Sequence, residues 1–364
     1  MSNKANGVKT IFMSIIGEDI YSYTDKTKRE FKHMHNLNGC FIKEKSEEKI
    51  ADVVYYPFSI IFVNKTRTYY LKEKSLAIEW IKTLRKLSKY RNFFDLYNIL
   101  DDLGSTAYGK IMICENKETK EKAALKIIKS NLQPSELNLV RNEINILRMC
   151  KHPHIVQFLD YFENSEYMFI VTEYFRFGSL STYIANQNYN IPEITASKIT
   201  FQIACALKYL QKYGIFHRDL QPDNIMMFNT EGEIHIKINN FSLSKIICPE
   251  ERIIERYGTI LFTAPEILSS IPYNYCVDIW SLGVVIYYMM SGSYPFGDRN
   301  NNTLEIANMI INNELRFPEQ IWDTKSRELK NLISQCLRKD QRERITIDML
   351  VQHEWLRFYN NDEI

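Results

Sequence analysis

The stretch Phe216 to Asn224, FHRDLQPDN, constrains this chain more than any other. It sets an acid, Asp219, beside His217 and Arg218, and an amide, Asn224, five residues further on. Alone the triplet is a weak signal, because an aspartate in a loop is commonly a capping residue. It gains weight from an ordered series of motifs around it. Upstream lie Leu103-Gly104-Ser105-Thr106-Ala107-Tyr108-Gly109-Lys110-Ile111, then Ala123-Ala124-Leu125-Lys126, then Glu143 in RNEINIL. Downstream lie Asn240-Phe241-Ser242, Ala264-Pro265-Glu266, Asp278-Ile279-Trp280-Ser281-Leu282-Gly283 and Arg344.

Taken in this order, the motifs resemble those of eukaryotic protein kinases of the Ser/Thr type over roughly residues 93–358. The helical part most resembles the calcium/calmodulin-dependent group. The fold implied is α+β and two-lobed, with an N-lobe over about 93–173 and a C-lobe over about 174–358. The implied cofactors are ATP and Mg²⁺, and the implied substrate or partner is a protein. By the resemblance, Asp219 is the base for the substrate hydroxyl and Asn224 a metal ligand. Lys126 would touch the phosphates and pair with Glu143. Leu103, Gly104, Gly109, Ile111, Ala124 and Met226 would line the nucleotide pocket. Thr172 would guard its back, and the backbone of Glu173 and Phe175 would hold adenine. Each has a blander reading when taken singly: a hairpin for two glycines, a surface pair for Lys126 and Glu143. Ser179 stands where relatives that act on basic sequences carry Glu, so a basic substrate is not expected.

Two departures bear on the chemistry. Gln221 replaces a lysine that would neutralise the transferring phosphate, and a dipole is a poorer substitute for that charge. Asn240 replaces an aspartate that would hold Mg²⁺, a hard cation that prefers anionic oxygen. Metal binding at Asn224 and Asn240 is therefore expected to be weakened or lost, and transfer to lose on the order of several kcal/mol of stabilisation. Thr106 also replaces the middle glycine of the phosphate loop, and Ser242 stiffens the residue after Phe241. Phe241 with Leu147, Phe158 and His217 can still form an apolar spine. Such a chain keeps an active-like shape while its phosphotransfer is impaired, in the manner of a pseudokinase scaffold or allosteric regulator. The alternatives are an active Ser/Thr kinase and a membrane- or protein-recruited adaptor that works through its N-terminal domain.

In the family Arg218 meets a phosphate on the activation segment. Between Leu243 and Tyr257 there is no threonine, and the only serine is Ser244. Glu250, Glu251 or Glu255 could replace that phosphate, but surface charge is the simpler reading. Asp278 is expected to brace the loop at Asp219, and Arg344 to bury against Glu266. The chain ends at Ile364, where the calcium/calmodulin-dependent group carries an autoinhibitory tail, so none is expected here.

The first ninety residues read differently. β-type runs fall at Ile11–Tyr23 around a Gly17-Glu18-Asp19 turn, and at Gly39–Lys43, Ala51–Tyr56, Ser59–Asn64 and Thr68–Leu71. The period then changes: Ala77, Trp80, Ile81, Leu84 and Leu87 mark one face of a helix that Ser75 can cap. A small β-barrel closed by one helix is expected over residues 1–90, and it resembles a pleckstrin-homology domain. The lysines available upstream are Lys4 and Lys9, and Lys26, Lys28, Arg29 and Lys32 form a basic cluster in the next loop. A charge this modest favours a protein-contact role, with weak anionic-lipid contact as the alternative.

Composition excludes little else. The net charge of +2 points to neither nucleic acid nor membrane. The longest apolar run, Leu282 to Met290, is far short of the ~20 residues of a transmembrane span. The 7 cysteines are scattered, with no CxxC pair, and read as reduced thiols of a cytoplasmic protein, with peripheral membrane association as the alternative.

Overall fold

The computed structural model describes residues 10–359 except Glu18, 29–30, 38–39, 63–64, 89–92, Ala107, Ser165, Glu231 and 249–250. Lys4, Lys9, Arg29 and Glu250 lie outside the described residues, as do the run ends Gly39 and Asn64 and the junction at 89–92. The chain divides into two units. The first is Met1–Leu137 with Leu159–Thr172, and the second Asn138–Phe158 with Glu173–Ile364.

The first unit opens with antiparallel strands β1 (Phe12–Ile16), β2 (Asp19–Tyr23) and β3 (Phe31–Asn36), which form one sheet. Strands β4 (Phe41–Glu44), β5 (Glu48–Ile50), β6 (Val53–Phe62) and β7 (Lys65–Leu71) form another, with both β4 and β5 on β6 and β7 on its other side. Helix α1 (Lys74–Leu87) follows. Ile20, Leu37, Ile42, Phe58, Ile60, Ile81 and Leu84 share one buried cluster, so the helix plugs a core common to both sheets. This is a small β domain with its helical lid.

Several expectations change here. Among the described residues the strands lie in two sheets rather than one closed barrel. The runs Ala51–Tyr56 and Ser59–Asn64 are one strand, β6, because Pro57 falls where β6 changes partner. Glu48 pairs with Tyr55 and Glu44 with Phe58, so the missing N–H of Pro57 breaks neither ladder. Lys32 belongs to β3 rather than to a loop. Helix α1 is capped by Glu73 without a side-chain bond, which puts Ser75 inside the first turn.

Continuing in the first unit, helix α2 (Phe93–Leu96) leads into a five-stranded sheet of β8 (Tyr97–Thr106), β9 (Gly109–Asn116), β10 (Lys122–Lys129), β11 (Phe158–Glu163) and β12 (Tyr167–Glu173), in the order β11-β12-β10-β9-β8. One face is filled by Cys114, Ala123, Leu125 and Val171 with the aromatic stack of Phe93, Tyr97, Phe162 and Phe169. The rings of Phe93 and Phe169 lie parallel at 4.8 Å. Helix α3 (Pro134–Met149) interrupts this sheet in sequence.

The second unit is mainly helical. It contains α4 (Leu180–Asn186), α5 (Glu193–Lys212), β13 (Ile215–Phe216), the hairpin β14 (Ile225–Thr230) and β15 (Glu233–Ile238), and β16 (Lys245–Ile246), which pairs with β13. Helix α6 (Pro265–Leu268) precedes α7 (Cys276–Ser291). From Val277 to Met290 every residue of α7 is buried, as expected of a helix apolar all round at the centre of a domain. A Cβ on Gly283 would stand 2.7 Å from the Cys336 Cβ, so the glycine is what lets the helix Arg327–Cys336 approach. Among the described residues no helix is long and apolar enough to cross a membrane.

Candidate active site

The sheet of the first unit separates two tasks by parity. Ala123 and Leu125 face the aromatic core, so Ala124 and Lys126 face the other way. Ile111 lies opposite Lys126, and Gly109 opposite Ile128, which places Gly109 and Ile111 on the face of Ala124 and Lys126. Gly104 pairs with Ile111 and joins them. Leu103, beside it, is exposed. On β12, Phe169 and Val171 enter the core, leaving Thr172 on the opposite face. The candidate nucleotide residues of this unit thus share a surface that the core does not use. The amide of Gly104 is turned onto Asp102 Oδ1 at 2.7 Å.

In the second unit the chain segments around Asp219 converge through polar side chains. Asp219 Oδ1 accepts from the Thr259 amide (3.2 Å), the Thr259 hydroxyl (2.9 Å) and Gln221 Nε2 (3.1 Å). Gln221 Nε2 also donates to Thr259 Oγ1 at 2.8 Å. Asn224 Nδ2 donates to Asp219 Oδ2 at 2.9 Å and to its backbone carbonyl at 2.7 Å. Because that nitrogen faces two acceptors, Asn224 Oδ1 must turn the other way, where Asn240 Nδ2 donates to it at 3.1 Å. Asn240 Oδ1 then meets the Ser242 hydroxyl at 2.8 Å. The same hydroxyl faces Glu143 Oε2 at 3.0 Å, so one proton serves two acceptors. Asn240 adopts a left-handed backbone, φ 63°, which asparagine tolerates better than most residues. Asp219, Asn224, Asn240 and the buried Glu143 therefore belong to one relay.

Behind the relay, Asp278 accepts from the amides of His217 and Arg218, both at 2.9 Å. Burial pushes the Asp278 carboxyl above its ordinary range, against the opposing charge of His217 and those two bonds. Phe241 is fully buried and its ring meets His217 edge-on at 5.1 Å. Leu147 is buried as well. Arg344 forks onto Glu266 at 2.6 and 2.9 Å with both side chains buried, the pairing read from the sequence.

Glu255 is not mere surface charge. Its Oε2 lies 2.6 Å from Arg218 Nη1, and its Oε1 lies 2.7 Å from Lys245 Nζ. Burial alone would raise the Glu255 pKa, but hydrogen bonds from Lys245 and Arg218 hold it below the ordinary carboxylate range. The sequence offered three glutamates and no means of choosing; Tyr273, whose hydroxyl donates to the Glu255 carbonyl at 2.8 Å, helps fix this one. Glu251 instead accepts from the Cys248 amide at 3.4 Å. Ser244 is buried, and its hydroxyl donates to the His217 carbonyl at 3.1 Å.

At the start of the second unit, the Glu173 amide donates to the Gln157 carbonyl at 3.1 Å. Its carboxylate is held by Lys237 at 2.7 Å. The resemblance assigns the Glu173 backbone to adenine, and its amide is already engaged here. Phe175 is buried, and Met226 bridges to Ser179, whose side chain caps α4 through Thr182. Among the described residues no group of three or more His, Cys, Asp or Glu could hold a metal.

Residues 97–356 match the family model of the protein kinase domain. The chain is 32% identical over 269 residues to Myosin light chain kinase A of Dictyostelium discoideum, a match covering 73% of this chain and 90% of that protein. It is also 32% identical over 271 residues to a probable myosin light chain kinase of the same organism, covering 74% of this chain and 68% of the relative. Protein kinases in general use ATP and Mg²⁺ and act on proteins. The matched residues include every segment of the relay around Asp219 and the sheet that carries Lys126, and the chain belongs to the protein kinase family, Ser/Thr-kinase-like in kind.

Proposed function

We propose that this chain binds nucleotide as a Ser/Thr kinase-like protein with impaired metal-dependent phosphotransfer, and that it works as a scaffold or allosteric partner. One observation carries the reading: Asn240 Nδ2 donates to Asn224 Oδ1 at 3.1 Å. The two residues that the resemblance assigns to Mg²⁺ engage each other. Asn224 Oδ1 is capped by an N–H, and Asn240 Oδ1 faces a hydroxyl. Both are neutral amide oxygens, whereas Mg²⁺ demands strong oxygen donors in near-octahedral array. This donor set fits the ion poorly.

The remaining roles follow the resemblance. Gly104, Gly109, Ile111, Ala124, Lys126 and Thr172 supply one wall for the nucleotide, with Leu103 at its rim. The resemblance assigns the backbone of Glu173 and Phe175, with Met226, to the base. Asp219 keeps its place as the group that would orient a hydroxyl, held by Gln221 and Thr259. The pair of Arg218 and Glu255 supports an activation segment ordered without phosphorylation. The domains run over 1–90 and 93–358, the first pleckstrin-homology-like and suited to protein contact in the cytoplasm. The second is of the calcium/calmodulin-dependent group.

A thermal shift with ATP, alone and with Mg²⁺ or Mn²⁺, tests this. At ligand 100-fold over Kd one site adds about 2.7 kcal/mol. A shift that needs no metal supports the reading. A metal-dependent shift, with phosphate incorporated into a myosin light chain at the ~1–100 s⁻¹ usual for kinases, overturns it. Pelleting with anionic liposomes separates the lipid role of the N-terminal domain from protein contact.

A further inference from the structure

Two cavities in the second unit meet at His152, and neither is lined by Asp219, Asn224 or Asn240. The first, about 650 Å³, is formed by the end of α3, the segment that follows it, and β15. Among the described residues Arg148, Lys151 and Lys237 line it, and no carboxylate does. The second, about 860 Å³, runs along the last turns of α5 to β13 and β16. Among the described residues Lys208 and Lys212 line it with one acid, Asp348, which is tied to Lys208 at 2.9 Å.

The two hollows are joined by aromatic rings. Tyr209 lies 5.0 Å from His152 and 4.8 Å from Tyr213, centroid to centroid. Its hydroxyl accepts the Lys151 amide at 2.9 Å. Three of the cations are occupied: Lys237 by Glu173, Lys208 by Asp348, and Arg148 with its guanidinium 5.2 Å over the Phe158 ring. Lys151 and Lys212 are exposed and form no ion pair among the described residues. Burial first, then the charges of His154 and Lys237, hold the His152 pKa down at about 4, so at neutral pH the ring between the cavities is uncharged.

We propose that this groove docks an extended acidic peptide segment, whose carboxylate or phosphate groups meet Lys151 in one cavity and Lys212 in the other while its apolar side chains stack on Tyr209 and Tyr213. Charge complementarity selects the partner: with Lys237 held by Glu173 and Lys208 by Asp348, Lys151 and Lys212 stand as exposed cations of the groove, in a chain whose net charge is only +2. The two hollows adjoin at His152, and an extended peptide presents side chains along its length to both, whereas a single small anion is far smaller than either. A polynucleotide carries charge at every step and would meet Asp348, while a peptide can place a neutral residue there.

The test is fluorescence anisotropy of the full chain with labelled peptides alternating Glu and Tyr, or phosphoserine and Tyr, against a Lys and Tyr peptide and a single-stranded oligonucleotide. The expected result is binding of the acidic peptides at low salt. Affinity should fall about tenfold or more in Lys151→Glu with Lys212→Glu. The melting temperature should not change, and Lys72→Glu should have no effect. The relative affinity of the two acidic peptides tells carboxylate from phosphate. The proposal is overturned if neither acidic peptide binds, or if the double variant binds within twofold of the parent. Tighter binding of the oligonucleotide with the same sensitivity also overturns it.

Discussion

Arg218 and Glu255 form an ion pair at 2.6 Å across 37 residues of sequence, with the arginine side chain 2% exposed and the glutamate 41%. A buried guanidinium with no anion is costly, and here the chain supplies the anion itself. Lys245 shares it, and Tyr257 lies with its ring 4.8 Å from the Arg218 guanidinium.

Glu255→Gln should therefore loosen the segment that follows Phe241. Removing one partner of a fully buried pair costs about 3–5 kcal/mol. Water reaches Glu255, so about 1–3 kcal/mol is expected, read by urea unfolding. The Glu255 pKa is lowered in the fold. Its stabilisation is then fully present above the unfolded-chain value and is lost as pH falls through the folded one. The gap between parent and variant should close in that acid window and stay constant at neutral pH. A gap that does not change with pH would exclude the ion pair as its source.

Asn240→Asp by itself should not simply restore a metal site. It sets a carboxylate oxygen against Asn224 Oδ1, where an N–H now donates at 3.1 Å. Two acceptors then face each other, and the metal-free protein should lose about 1–3 kcal/mol. Mn²⁺ or Mg²⁺ with ATP should return that loss, giving the variant a metal dependence the parent lacks. Combined with Gln221→Lys, transfer should rise by orders of magnitude. Identical melting of parent and variant with and without metal would count against the relay.

Arg344→Ala should cost about 3–5 kcal/mol, because Glu266 is left charged and buried. Replacing both residues by apolar ones of similar volume should recover much of it. Chemical denaturation of the single and double variants decides; equal losses in both would mean that packing, not the unpaired charge, sets the penalty.

Gly109→Ala and Gly104→Ala should separate two reasons for a glycine. A Cβ on Gly109 would lie 1.9 Å from the Ile127 carbonyl oxygen, so β9 and β10 must shift, at about 1–3 kcal/mol or more. Around Gly104 there is open space, but its φ of 131° strains any other residue. A smaller cost, on the order of 1 kcal/mol, is expected there. Differential scanning calorimetry without nucleotide measures both, and a harmless Gly109→Ala would refute the clash.

The order of short motifs was legible because each is local. A lysine on a β-type run, an aspartate in a loop, an apolar helix face at Ala77, Ile81 and Leu84: these follow from residue type and spacing alone. The pairings of Arg344 with Glu266 and of Asp278 with the loop at His217 could be read the same way, since the family fixes both partners. Strand pairing was less legible. Ala51–Tyr56 and Ser59–Asn64 read as two runs until β6 is seen to continue through Pro57 and change partner there, and Ser75 reads as a cap until Glu73 is seen to begin the helix.

What the sequence by itself determined is the family, the candidate residues and the loss of two charges at Gln221 and Asn240. Only the tertiary structure decided what replaced them. Asn240 and Asn224 are 16 residues apart, and Ser242 and Glu143 are 99. Hydrogen bonds act over about 3 Å and depend on direction, so no periodicity reports them. Whether Glu255 or Glu251 reached Arg218, and whether Asn240 faced a ligand or its neighbour's amide, was fixed by the packing that brought distant segments within that range.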